Sequence, residues 1–292
     1  EVLAEVSGNI LKNVKSVVVP NTNGRRGIDA AIAVGIVAGD ADAELQVIAN
    51  VTEDDVAAIQ GYLDTTPIKV TCPETPCLLD IFLHGKREGH TAAVRVANNH
   101  TNIIYIEKDG VALLEKPLTA NAEDNLQDKS VLNVRDIITF AETVPIETIL
   151  PTVGRQIEKN SAIAEEGLRN DWGANIGSTL LAASDDPETQ ARAWAAAGSD
   201  ARMNGCEMPV VICSGSGNQG ITASVPVWKY GKLTGADDEK ILRAVCLSDL
   251  ITIHQKTGIG RLSAYCGAVS AGVGASCGIA WLRGADYDGV AH

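Results

Sequence analysis

The hydrophobic pattern of this chain changes its period along the sequence, and that change constrains the fold more than any other feature. Between Ile68 and Leu114 apolar and polar residues alternate, which is typical of half-buried strands. The alternation predicts strands at 67–72, 78–84, 90–97, 101–107 and 111–115, and a Lys108-Asp-Gly110 turn joins the last two. An antiparallel β-sheet subdomain is therefore expected in the N-terminal half of an α+β protein.

The remainder of the sequence favours helices. A strand at 2–6, a turn at Gly8-Asn9 and a second apolar run ending at Pro20 come before a helix at 28–38, and two helical stretches fill 45–64. Beyond the sheet the pattern predicts helices at 134–143, 145–150, 153–168, 175–184, 187–203, 236–257 and 262–283. We therefore predict a mainly helical catalytic body of residues 1–44 and 117–292, and an α+β sheet subdomain of residues 45–116.

The bulk properties exclude several classes of protein. A net charge of −13 on 292 residues disfavours nucleic acid as a partner. No apolar run reaches the roughly 18 residues of a membrane span, and no leader is visible. Seven cysteines without a CxxC pair are typical of reduced thiols, so a cytoplasmic protein is expected. The Ala- and Gly-rich helices suggest close helix packing and a homodimer.

A glycine-rich stretch, Cys213-Ser-Gly-Ser-Gly-Asn-Gln-Gly-Ile221, follows the apolar run 208–212 and leads into further apolar sequence. Such a loop before a helix turns free backbone N–H groups toward one point, where the helix dipole also favours negative charge. The pattern matches neither of the common nucleotide-phosphate motifs. It predicts a site for a small carboxylate at Ser214, Ser216, Gly217, Asn218 and Gln219, and the alternative interpretation is a tight connector.

A second loop of the same kind precedes the helix at 28–38. Asn21, Thr22 and Asn23 form it together with Gly24, and Arg25 and Arg26 would add a fork for a carboxylate. Two such loops favour one cleft that both of them face. The alternative interpretation is that Arg25 and Arg26 bind no carboxylate and are a solvated pair of basic residues.

The candidate proton carriers and metal ligands are dispersed along the chain. His90 and His100 lie near strand ends, where a histidine is either a general base or a surface residue. Lys256 is near a helix end, a position that favours a surface lysine, and it would need a desolvated site to act as a base. Cys266 and Cys277 are 11 residues apart, hence roughly 16 Å apart along an unbroken helix, so at most one of them binds a given metal centre.

Five motifs together resemble a known family. They are Ser7-Gly-Asn-Ile10 with Lys12-Asn-Val14, Gly89-His-Thr91 with His100-Thr-Asn-Ile103, Ile163-Ala-Glu-Glu-Gly167, Ser214-Gly-Ser-Gly-Asn-Gln-Gly220 and Gly260-Arg-Leu-Ser-Ala-Tyr-Cys-Gly267. In this order, and over nearly the whole chain, they resemble the L-cysteine desulfidase family, which is grouped with the α-chain of iron–sulfur L-serine dehydratases.

The resemblance implies a [4Fe–4S] cluster held by three cysteines, of which Cys266 matches the middle one. The other two belong to motifs outside this sequence, so the chain is expected to be truncated at both ends and to hold no intact cluster alone. The implied reaction is the non-redox β-elimination of L-cysteine to pyruvate, ammonia and sulfide. His100, Lys256 and His90, in that order, are the candidate bases. L-serine dehydration and a non-enzymatic amino-acid-binding protein are the alternatives.

Overall fold

The computed structural model describes residues 1–119, 128–259 and 266–292. Its contacts divide the chain into two compact units, Glu1–Gln127 and Asp128–His292. The first unit contains the sheet and the second is helical, and each is described below by itself.

Among the residues that the structure describes, the sheet unit has six strands and three α-helices. In chain order they are β1 Val2–Val6, α1 Gly8–Val14, α2 Gly27–Ala38, a 3₁₀ segment Ala41–Gln46, α3 Glu53–Thr65, β2 Ile68–Thr71, β3 Asp80–Arg87, β4 His90–Ala97, β5 Ile103–Lys108 and β6 Val111–Glu115. The strand order is β2-β1-β3-β4-β5-β6. β1 pairs parallel with β2, and all the other neighbours are antiparallel. The expected α+β fold class, a mostly helical chain with the sheet in its N-terminal half, is confirmed.

The position of β1 differs from the predicted assignment of residues 1–44 to the helical body. β1 lies between β2 and β3, and its buried Val2, Ala4 and Val6 pack against Ile28 and Ile32 of α2. The alternation of apolar and polar residues in β1 is clear in the sequence. Its partner strands, however, lie some sixty to eighty residues further along the chain, so the local pattern could not predict with which strands β1 pairs.

A short helix occupies part of the segment where we expected a turn at Gly8-Asn9 and a second apolar run ending at Pro20. Helix α1 occupies Gly8–Val14, and only Val18 in the following segment makes an isolated bridge, to Arg26. The apolar residues Ile10, Leu11 and Val14 recur at helical spacing and pack on β1.

The helical unit contains nine helices among the described residues. They are α4 Val134–Thr143, α5 Ile146–Ile149, α6 Arg155–Arg169, α7 Ile176–Ala183, α8 Pro187–Met203, α9 Gly217–Leu233, α10 Asp238–Thr257, α11 Gly267–Leu282 and α12 Tyr287–Ala291, with a 3₁₀ turn at Lys129–Val131 and a π-helical turn at Leu150–Gly154. None of the helices in the described residues is long and apolar enough to cross a membrane.

Small residues let these helices approach closely. A Cβ atom on Gly167 of α6 would lie 2.1 Å from the carbonyl oxygen of Ala197 in α8, and one on Gly274 of α11 would lie 2.3 Å from that of Ser248 in α10. Such distances leave no room for any side chain. Helix α9 packs against α6, α8, α10 and α11, and its side chains Ile221, Val225 and Val227 are fully buried.

Candidate functional site

The glycine-rich loop forms a tight turn at the start of α9. Cys213 and Ser216 are bridged through their backbones, and the two residues between them take positive φ angles, 47° at Ser214 and 94° at Gly215. Gly220 lies in the first turns of α9 against Val211, where a Cβ would lie 2.0 Å from the Val211 carbonyl oxygen. The glycines therefore allow both the turn and the close approach of α9 to the chain that precedes it.

The N-terminus of α9 is uncapped. Ser216 occupies the N-cap position but its side chain accepts no capping hydrogen bond. Among the described residues, no acceptor faces the backbone N–H groups of Gly217, Asn218 or Gln219. These groups and the helix dipole concentrate partial positive charge at this point, which is the condition for binding an anion.

Arg202, in the last turn of α8, places a guanidinium beside that helix end. A Cβ on Gly217 would lie 2.4 Å from Arg202 Nε, and Arg202 Nη1 donates a hydrogen bond to Asn218 Oδ1 at 3.2 Å. No carboxylate of the described residues pairs with the guanidinium, whose described hydrogen bonds go to Asn218 Oδ1 and Met203 Sδ, and burial lowers the pKa of Arg202. A half-buried cation beside the positive end of a helix leaves an uncompensated positive site suited to a carboxylate.

Gln219 connects the loop with the start of α11. Its Nε2 donates a hydrogen bond to the Ser214 carbonyl oxygen at 3.3 Å. Its side chain also packs against Gly267, so closely that a Cβ added to Gly267 would lie 2.3 Å from Gln219 Cδ. Gly267 follows Cys266, which is exposed and occupies the N-cap position of α11. The predicted carboxylate loop and the predicted metal ligand are therefore neighbours in this unit.

Helix α10 carries a partly buried carboxyl group, that of Asp249, near the loop. Asp249 Oδ1 accepts a hydrogen bond from Gln156 Nε2 at 2.9 Å, and the same Nε2 is 3.3 Å from the Gly220 carbonyl oxygen. Cys213 Sγ lies 4.0 Å from the Asp249 carbonyl oxygen. Burial raises the pKa of Asp249 to about 7, because no described cation compensates its charge. A carboxyl that titrates near neutral pH suits proton transfer.

Lys256 lies two turns further along α10. Only 4% of it is exposed, so it is not the surface lysine that its position near a helix end favoured. Burial lowers the pKa of Lys256, and the nearby Cys266 opposes this effect. Its ammonium group makes no hydrogen bond or ion pair with the residues that the structure describes.

The two histidines lie in the sheet unit, at opposite ends of β4. His90 begins the strand, is exposed, and has Nδ1 3.1 Å from the carboxylate of Asp109. His100 is exposed in the turn that follows the strand. A strand of this length separates its ends by roughly 24 Å, so the two imidazoles do not act at one point. Their catalytic roles stay predictions.

The side chains of the second loop bond to the loop itself and to neighbouring residues of the sheet unit. Thr22 is fully buried and its Oγ1 donates to the Val19 carbonyl oxygen at 2.6 Å, while Asn21 Nδ2 donates to the Ile48 carbonyl oxygen at 2.9 Å. Asn21 and Asn23 have positive φ angles, and Arg25 bonds to Gln60. These bonds stabilise the turn, and the predicted substrate-binding role of Asn21, Thr22 and Asn23 stays a prediction.

The structure adds Arg202, Asp249 and Gln156 to the residues that the sequence suggested. Each of them lies inside a predicted helix and belongs to no motif, so its sequence position carried little signal. A basic residue just upstream of a glycine-rich loop was the one available indication for Arg202.

The described residues alone do not fit an iron–sulfur cluster. Such a cluster takes several thiolates. In the described part of the helical unit Cys266 is the only exposed thiol, and no group of three ligating side chains comes together there. Burial raises the pKa of the remaining thiols of this unit, which are Cys206, Cys213, Cys246 and Cys277. The predicted [4Fe–4S] cluster stays a prediction, and no step below passes through it.

The chain is similar to known proteins over almost its whole length. A family model described as serine dehydratase alpha chain matches residues 42–292. A UPF0597 protein of Desulfitobacterium hafniense is 47% identical, with 100% of this chain and 68% of the relative covered. UPF0597 proteins of Lachnoclostridium phytofermentans (49% identical, 99% of this chain, 70% of the relative) and Treponema denticola (43%, 99%, 69%) are also similar. No solved structure matches the chain.

Proposed function

The chain belongs to the serine dehydratase alpha-chain family, and on that premise we propose that it is a carbon–sulfur lyase acting on L-cysteine. The proposed reaction is a β-elimination that yields pyruvate, ammonia and sulfide. The same site would accept L-serine as the alternative substrate, with water as the leaving group.

The observation that carries this proposal is the guanidinium of Arg202, which has no carboxylate partner among the described residues and lies at the uncapped N-terminus of α9. An α-amino acid always brings a carboxylate. The backbone N–H groups of Gly217, Asn218 and Gln219 would bind one carboxylate oxygen and Arg202 the other, so the carboxylate would neutralise a positive charge that the described residues leave open.

The base that removes the α-proton would be Asp249. Its carboxyl group lies behind the loop, connected to Gly220 through Gln156, and its pKa of about 7 lets it accept a proton near neutral pH. Lys256 is the second candidate, because it is buried in the same unit, and His100 and His90 stay candidates. The carbon–sulfur bond then breaks, the thiolate leaves with the bonding electrons, and the resulting aminoacrylate is hydrolysed by water to pyruvate and ammonia.

The test uses protein expressed from the full reading frame and reconstituted with iron and sulfide. L-cysteine should release sulfide and pyruvate in equal amounts. Arg202→Met should raise KM about tenfold or more, since a charge-assisted hydrogen bond is lost. The exposed Arg192 lies on the same helix, so Arg192→Met is the matched control and should leave KM unchanged.

Three outcomes would decide against the proposal. Cluster formation without turnover of L-cysteine would reject it. A higher kcat/KM with L-serine would identify a serine dehydratase. A rise in melting temperature with either amino acid, again without turnover, would favour an amino-acid-binding protein.

A further inference from the structure

One buried polar atom beside the loop has no partner. Gln219 is 2% exposed, yet its Oε1 accepts no hydrogen bond. Leaving a buried acceptor unsatisfied is unfavourable, and most such atoms in folded proteins are paired. An unpaired acceptor at a candidate binding site is therefore expected to meet a donor of the ligand.

The orientation of this amide is determined by its neighbours. Nε2 donates to the Ser214 carbonyl oxygen, so exchanging the two ends of the amide would bring two acceptors together. The close contact with Gly267 prevents the side chain from moving toward α11. Oε1 is consequently the end of the amide that stays available.

The chemistry of the ligand follows from the position of this acceptor. Gln219 belongs to the same helical turn as the N–H groups that would bind the carboxylate. In an α-amino acid the nitrogen and the carboxylate carbon share one carbon atom and are about 2.5 Å apart. The group that reaches an acceptor beside the carboxylate site is thus the α-ammonium, which carries three donors and no acceptor.

We propose that Gln219 is a specificity residue whose Oε1 accepts a hydrogen bond from the α-ammonium of the substrate. This inference rests on the proposed function. It predicts that the site selects free α-amino acids and discriminates against mercapto acids of the same shape.

The experiment compares L-cysteine with 3-mercaptopropionate, which has the carboxylate and the thiol but no amino group. Dissociation constants are measured by isothermal titration calorimetry on the full chain. The wild type should bind L-cysteine about tenfold to one hundredfold more tightly, the effect of one charge-assisted hydrogen bond. Gln219→Met should reduce that ratio to about one to three by weakening L-cysteine alone.

Two further variants keep the test decisive. Gly267→Ala places a Cβ 2.3 Å from Gln219 Cδ, so it should displace the amide and lower the ratio in the same way. Gln190 also donates one hydrogen bond to a backbone carbonyl, that of Asp185, but lies on α8 away from the loop. Gln190→Met is therefore the matched control and should keep the wild-type ratio.

The outcomes separate the two proposals. Equal affinity of the wild type for both ligands would overturn the role of Gln219 and leave the proposed function standing. An undiminished ratio in both Gln219→Met and Gly267→Ala would also overturn it. No binding of either ligand would reject the proposed function and the role of Gln219 with it.

Discussion

Asp249→Asn should stabilise the helical unit, and the gain should depend on pH. The carboxyl of Asp249 has its pKa raised from 3.8 to about 7, chiefly because burial disfavours its charged form. Between these two values the folded state binds more protons than the unfolded state. The unfolding free energy of the wild type must therefore fall as pH rises through this window. Asparagine keeps an acceptor for Gln156 but does not ionise.

The magnitude follows from the size of the shift. Raising the pKa from 3.8 to about 7, at 1.36 kcal/mol per pH unit, amounts to at most about 4 kcal/mol, because Asp249 is partly and not fully buried. The variant and the wild type should be equally stable near pH 4. The difference in favour of the variant should grow by at most about 1.4 kcal/mol per pH unit and become constant above pH 7.

Tryptophan fluorescence provides the assay, because all four tryptophans, at 172, 194, 228 and 281, lie in the helical unit. Urea unfolding at pH 5, 6, 7 and 8 would give the free energies. Asp185→Asn is the control, since Asp185 is exposed in the same unit. A stability difference that stays constant with pH for Asp249→Asn would refute the reasoning, because it would mean that Asp249 ionises like an ordinary carboxyl.

Three further predictions concern stability elsewhere. Gly220→Ala should abolish folding of the helical unit or destabilise it by more than about 2 kcal/mol, since the added Cβ would lie 2.0 Å from a backbone oxygen; unchanged urea midpoints would contradict this. Asp186, the N-cap of α8, has its pKa lowered to about 2 by hydrogen bonds from Ser184 and a backbone N–H, so its stabilising effect is present above pH 4 and lost as pH falls toward 2. Asp186→Ala should therefore lower the melting temperature at pH 6 and make little difference near pH 2, and an equal loss at both pH values would refute the assignment. Arg95→Met should destabilise the sheet unit by about 3–5 kcal/mol, because it leaves the buried Asp80 without the arginine that bonds both its oxygens; circular dichroism melts should show recovery when Asp80→Asn is added.

Local patterns in the sequence predicted most of the elements. The alternation between Ile68 and Leu114 placed five strands close to their observed bounds, because one face of that sheet is buried and the period of a strand is two. Seven of the nine helices described after residue 133 were recognised for the analogous reason, since their apolar residues recur at helical spacing, whereas α9 and α12 were not among the predicted helices. The strand at 2–6 was also visible, whereas its place in the middle of the sheet was not, because pairing over more than sixty residues leaves no local trace.

Some residues of the candidate site were predicted from the sequence, and others were found only in the structure. The glycine-rich loop before α9 was evident from residue type and spacing, because only glycine tolerates such turns and close approaches, whereas Cys266 was singled out by the family resemblance. Arg202, Asp249 and the unpaired oxygen of Gln219 were not evident. A charge acquires chemical significance when burial removes its water and leaves it without a counter-ion, and burial depends on neighbours that are distant in sequence.

The sequence by itself thus determined the fold class and the membership of the serine dehydratase alpha-chain family, and it located the glycine-rich loop for which carboxylate binding is proposed, since these depend on period, motif and backbone freedom. Only the tertiary structure decided which ionisable groups accompany that loop. Lys256 illustrates the difference. Its position near a helix end favoured a solvated lysine, and the packing of the helical unit instead leaves 4% of it exposed, close to Cys266. The physical reason is that desolvation is a property of the assembled helices and not of any one of them.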